Sequence, residues 1–126
     1  MKVRLAVAPL VMYACDVALT LAGQPAAYWD GDRDAVREAN PVWWYFLNLG
    51  PAPFLAAALS WALAFTAILI LWRHSWTRVM AFLLTLGHAI GAGTWLWPHG
   101  LAGKVAAVAL LLVAERLLSW SWRDST

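Results

Sequence analysis

Long apolar runs, separated by short polar or proline-bearing breaks, set the pattern of this chain. A helix crossing a hydrocarbon core of ~30 Å needs ~20 predominantly apolar residues. Four stretches meet that requirement: 3–22, 54–72, 79–97 and 101–118. Ahead of the second, Gly50-Pro51-Ala52-Pro53 breaks the run, because proline removes a backbone donor and clashes with the preceding turn. Residues 41–49 therefore read as a separate short helix in the membrane interface, with Asn40 as N-cap and Pro41 at its first position. The alternative is a continuous, kinked second span of about thirty residues.

Residues 23–40 form the one hydrophilic stretch, where Asp30, Asp32, Asp34 and Glu38 outnumber Arg33 and Arg37. Tyr28, Trp29 and the Asp30-Gly31 pair mark it as a surface loop. The expected fold class is all-α: one domain, 1–126, built as an integral membrane antiparallel four-helix bundle with a short interfacial helix before the second span.

Composition agrees with that solvent. Of 126 residues, 63% are hydrophobic and 13% charged, whereas soluble domains run at about 45–50% and about 25%. The net charge of +2 places no basic run on a polar face, so nucleic acid is not an expected partner. Six of the nine basic residues, Lys2, Arg4, Arg73, Arg78, Arg116 and Arg123, fall at one set of segment ends. Basic ends face the cytoplasm, which gives a multi-pass cell-membrane protein with cytoplasmic N- and C-termini and an outer 23–40 loop. Most of the ten tryptophans lie near segment ends, where indole anchors to the interface; Trp61 alone lies well inside a span. The lone Cys15 builds neither a disulfide framework nor a CxxC site. Lys2 and Arg4 ahead of an apolar run have the look of a signal peptide, but Asp16 inside that run and the spans beyond it favour a persistent first helix.

Asp16 is the sharpest chemical signal. A carboxylate inside a membrane helix costs ~2.5–3.5 kcal/mol or more and normally faces the protein interior with a partner. Tyr13 and Thr20, at i−3 and i+4, share its face. With the N-terminus inside, Asp16 stands ~20 Å along the helix, toward the outer loop. Its two readings are a packing lock and a functional acid. Glu38, just before the Asn40 cap, is either a helix-capping acid or a second member of the same outer cluster.

Asp16-x-x-x-Thr20 in the first span followed by Glu38-x-Asn40-Pro41 opening the next resembles a family of small, uncharacterised prokaryotic multi-pass membrane proteins, a domain of unknown function, over about residues 10–72. The resemblance implies a site at these residues and supplies no reaction.

His88 lies near the middle of the third segment within Leu86-Gly87-His88-Ala89-Ile90-Gly91-Ala92-Gly93, where Gly87 and Gly91 permit close helix approach. It is either a neutral histidine bonded to another helix or a titrating or ligating group. Asp16, Glu38 and His88 offer one nitrogen and two carboxylates, a set suited to zinc or non-haem iron, yet no HExxH or ExxH signature accompanies them. Lys104 is placed either to snorkel to water or to neutralise Asp16 or Glu38. Asp30-Gly31 with Ala35 and Arg37 has the wrong spacing for CDP-alcohol phosphotransferase chemistry, and no GxSxG motif is present.

The candidate polar cluster is thus Asp16, Thr20, Glu38, Asn40 and His88, with no cofactor expected. The leading expectation is a non-enzymatic accessory or homo-oligomeric membrane component, with Ala102, Ala106, Ala109 and the Gly87/Gly91 face as packing surfaces. A proton- or ion-coupled transporter component using Asp16 and His88 is the first alternative. An intramembrane metal-binding protein or metalloenzyme is the second.

Overall fold

A computed structural model describes residues 3–72 and 75–123; Lys2, Arg73 and His74 lie outside the described residues. The described chain is helical, with no strand. Its α-helices are α1 (Val3–Ala22), α2 (Ala26–Trp29), α3 (Pro41–Leu49), α4 (Pro51–Leu71), α5 (Trp76–Leu96) and α6 (Gly100–Trp122). Short 3₁₀ turns occupy Arg33–Ala35 and Trp97–His99.

Local chemistry explains the helix boundaries. Asn40 Oδ1 accepts the Val42 N–H at 2.9 Å, and Pro41 occupies the first turn of α3, where no backbone donor is missed. Gly50 then adopts φ 128°, ψ 171°, which ends α3 and starts α4. A side chain at that positive φ is strained, so glycine is the residue that fits. The second long helix consequently begins at Pro51 rather than at position 54. Pro51 and Pro53 sit in its first turn, the one part of a helix whose N–H groups have no intrahelical acceptor. Residues 41–49 and the second long helix are separate elements, and the continuous kinked span does not form.

Helix directions follow from pairs of residues in contact. Tyr13 of α1 bonds Ala58 of α4, while Val17 and Leu21 further along α1 pack on the cluster that holds Phe54, earlier in α4, so these helices run antiparallel. Met12 meets Ala114, and the Arg4 guanidinium lies 5.2 Å from the Trp120 ring, which sets α6 antiparallel to α1 as well. Asp16 touches His88, and Gly23 lies against Trp95, so α1 and α5 run parallel. The α1–α5 contact is the most extensive in the molecule. Small side chains allow it: Thr77, Ala81, Thr85, Ala89 and Ala92 are buried along α5.

Two details bear on the small-residue faces of α5 and α6. The buried face of α6 is Gly103, Ala107, Ala114, Leu118 and Ser121, while Ala102, Ala106 and Ala109 are exposed. That is a rotation of one residue, about 100° around the helix. Gly91 packs against α1, but a Cβ at Gly87 would meet nothing within 4 Å.

Among the described residues, two helices, α1 and α4, are long and apolar enough to cross a membrane. The other two long helices match them in length, at 21 residues for α5 and 23 for α6.

Candidate functional site

The site grows from the middle of the α1–α5 seam. Asp16 of α1 and His88 of α5 meet with Nδ1 and Oδ2 2.9 Å apart. A carboxylate oxygen accepts, so the geometry suits an Nδ1–H of His88 donating to Asp16. Gly91, three residues beyond His88, makes the approach possible. A Cβ there would stand 2.8 and 2.9 Å from the two Asp16 carboxylate oxygens. The histidine ring is held from the side by the edge of Tyr13, at a centroid distance of 4.7 Å. Tyr13 is itself fixed, because its hydroxyl donates to the Ala58 carbonyl of α4 at 2.8 Å and its ring packs edge-on to Phe65. One face of α1 thus ties three helices together, with α5 reached through a charge and α4 through a phenol.

The pair is not sealed. Asp16 and His88 retain 21% and 15% side-chain exposure, and both line a cavity of about 330 Å³. Thr20, Glu38 and Asn40 line the same cavity, as do the aromatic rings of Trp43, Phe54 and Trp95. All five residues of the candidate cluster therefore border one space. Thr20 is 5% exposed, and its hydroxyl makes no hydrogen bond among the described residues. Asp16 and Glu38 are the only Asp, Glu, Lys or Arg residues in the lining.

How Glu38 comes to hang over the end of α1 is explained by Gln24. Its Nε2 donates to the carbonyls of Thr20 at 3.0 Å and Arg37 at 2.8 Å, and its Oε1 accepts the Arg37 N–H at 2.9 Å. This buried amide clasps the ends of the 23–40 loop together. Tyr28 adds a second tether by donating from its hydroxyl to the Leu47 carbonyl of α3 at 3.1 Å. Burial raises the Tyr28 pKa, partly offset by the Arg33 guanidinium 4.9 Å from its ring. Neither Gln24 nor the Tyr28 tether stood out in the sequence, where polar loop residues read as solvated.

Glu38 and Asn40 also do local work. Glu38 Oε1 accepts the Asn40 N–H at 2.8 Å, while Asn40 caps α3. The carboxylate is turned to the backbone, and no group of three or more His, Cys, Asp or Glu converges as a metal site among the described residues. The one-nitrogen, two-carboxylate set of Asp16, Glu38 and His88 does not assemble. Lys104 does not neutralise the cluster either, since its ammonium lies 5.4 Å from the Trp97 ring centroid.

No family model, no curated protein and no solved structure matches this chain. What the site can do is therefore argued from its geometry. It combines a fixed carboxylate–imidazole pair, a second carboxylate with one oxygen committed to the backbone, an unpartnered hydroxyl and aromatic walls. Such a space can bind a small polar group or exchange a proton.

Proposed function

We propose that this chain is a four-span membrane protein with cytoplasmic termini, acting as a non-enzymatic binding component. In it the Asp16–His88 pair locks spans one and three and forms the floor of a small outer cavity. The observation that carries the reading is the 2.9 Å pair opening onto the cavity that all five cluster residues border. A lock alone would favour a dry, closed contact, whereas this one keeps both side chains accessible.

Membrane insertion is supported by what the long helices leave uncovered. Leu59, Leu63 and Leu71 on α4, Leu83 and Ile90 on α5, and Leu101, Val105 and Leu112 on α6 are all more than half exposed. Apolar surface spread along these three helices is a large free-energy cost in water and none in hydrocarbon. The resemblance to small prokaryotic multi-pass membrane proteins rests on the same Asp16-x-x-x-Thr20 and Glu38-x-Asn40-Pro41 residues.

Topology provides the test. In a Cys15→Ala background, Asp32→Cys reacts with an impermeant maleimide added outside sealed cells, and Ser119→Cys reacts only after permeabilisation. Labelling of Asp32→Cys from the cytoplasmic side alone overturns the orientation, and release of the protein by alkaline carbonate overturns the membrane reading.

Accessibility of both titratable groups favours a second reading, a proton-coupled component. Four spans are few for a transport path, so this reading calls for an oligomer. Ion flux in proteoliposomes that Asp16→Asn and His88→Ala leave unchanged removes it.

A further inference from the structure

The acidic cavity does not stand alone. A larger apolar groove of about 980 Å³ runs between α3 and α4, and it shares Asn40, Trp43 and His88 with the cavity. Phe46 of α3 and Pro53, Ala57, Trp61 and Ala64 of α4 continue the groove. From Pro53 to Ala64 it extends about 16 Å at the helical rise. Of these two adjoining spaces, one is polar and anionic, and the other is long and apolar.

From that juxtaposition we infer that the chain binds an amphiphile with an ammonium head and an apolar tail. The head sits between Asp16, Glu38 and Thr20, and the tail lies in the α3–α4 groove. This rests on the proposed membrane component with its outer cavity, and names its ligand class. Four observations specify the head. Asp16 and Glu38 are the acids of the lining, and no Lys or Arg among the described residues lines it to repel a cation. Each carboxylate has one oxygen committed, Oδ2 to His88 and Oε1 to Asn40, which leaves the other for a donor. Thr20, 5% exposed as a residue, borders the cavity, and its hydroxyl makes no hydrogen bond among the described residues, so its oxygen is free to accept from an N–H. Trp43 and Trp95 supply π faces, which attract ammonium groups. Trp43, common to both spaces, marks the junction between head and tail.

The ammonium has two possible sources, an aminolipid of the surrounding bilayer or a free long-chain amine. Both present the same chemistry to the site. The test uses native mass spectrometry on protein purified in a non-ionic detergent and titrated with octylammonium, hexylammonium, octanamide and octanoate. Octylammonium is expected to bind at least tenfold more tightly than octanamide, and octanoate not at all. Each methylene contributes about fourfold in affinity, so octylammonium exceeds hexylammonium by roughly fifteenfold. Glu38→Gln keeps an oxygen for the Asn40 N–H and removes only the charge; it is expected to weaken octylammonium at least threefold with octanamide unchanged. Asp16→Asn weakens it at least tenfold. A bilayer source is identified by an aminolipid that copurifies with the wild-type chain and is lost in Asp16→Asn, and a free source by binding only on addition. Equal affinity for octylammonium and octanamide, or no dependence on chain length, overturns the inference. Those failures, in protein that remains carbonate-resistant and correctly oriented, leave the membrane component standing. Release by carbonate brings down that reading instead.

Discussion

A methyl group at position 91 would meet both carboxylate oxygens of Asp16 within 3 Å, whereas one at position 87 would meet nothing within 4 Å. Because the two glycines lie one helical turn apart on α5, they form a matched pair. Gly91→Ala is expected to displace the Asp16 carboxylate and destabilise the detergent-solubilised protein by about 1–3 kcal/mol. Gly87→Ala gains helix propensity, up to about 1 kcal/mol, without a clash. Thermal unfolding of the two variants checks this, and equal melting temperatures would contradict the packing at Gly91. In the sequence the two glycines are indistinguishable, since both belong to a small-xxx-small pattern. Asp16 and His88 were legible as single residues because a charge or an imidazole in an apolar run is conspicuous. Their meeting was not legible, because it depends on the rotational phase of two helices more than fifty residues apart along the chain.

At the scale of elements, α3 and the 23–40 loop decide where Glu38 and Asn40 stand. Removing the α3 cap with Asn40→Ala leaves the Val42 N–H without its acceptor and is expected to cost about 1 kcal/mol. The cost should appear as faster proteolysis of the 23–40 loop, and a cleavage rate equal to wild type would contradict the capping role. Tyr28 predicts a pH dependence for the same segment. Its folded pKa is raised by burial above the unfolded value near 10, so the stabilisation it confers is complete below about pH 10 and is lost as pH rises through the folded pKa. Loop proteolysis should accelerate above about pH 10 in the wild type and lose much of that dependence in Tyr28→Phe. The break at Gly50-Pro51 could be read from the sequence, because proline and glycine act locally. The Gln24 clasp could not, since it joins residues 13 positions apart through a side chain that gives no periodic signal. Which face of α6 packs within the chain was not legible for a related reason: with alanine, leucine and valine all around the helix, its pattern carries no phase.

For the molecule as a whole, the scarce polar groups are concentrated where the helices must agree on a register. The α1–α5 seam is the largest contact, and the buried residues along its α5 side are small ones that would tolerate sliding. Asp16 to His88 is the directional bond that fixes it, while Tyr13 to Ala58 holds α1 to α4 and the Gln24 clasp holds the 23–40 loop to the end of α1. They also hold a cavity open at the loop end, so the features that specify packing and those that offer a binding site are the same residues. The central claim is that Asp16 and His88 act as one unit in this bundle. A double-mutant cycle on Asp16→Asn and His88→Ala, read as unfolding free energy in detergent, tests it most directly. The account predicts a coupling energy of about 1 kcal/mol or more between the two positions. Additivity of the two single losses to within about 0.3 kcal/mol would contradict it.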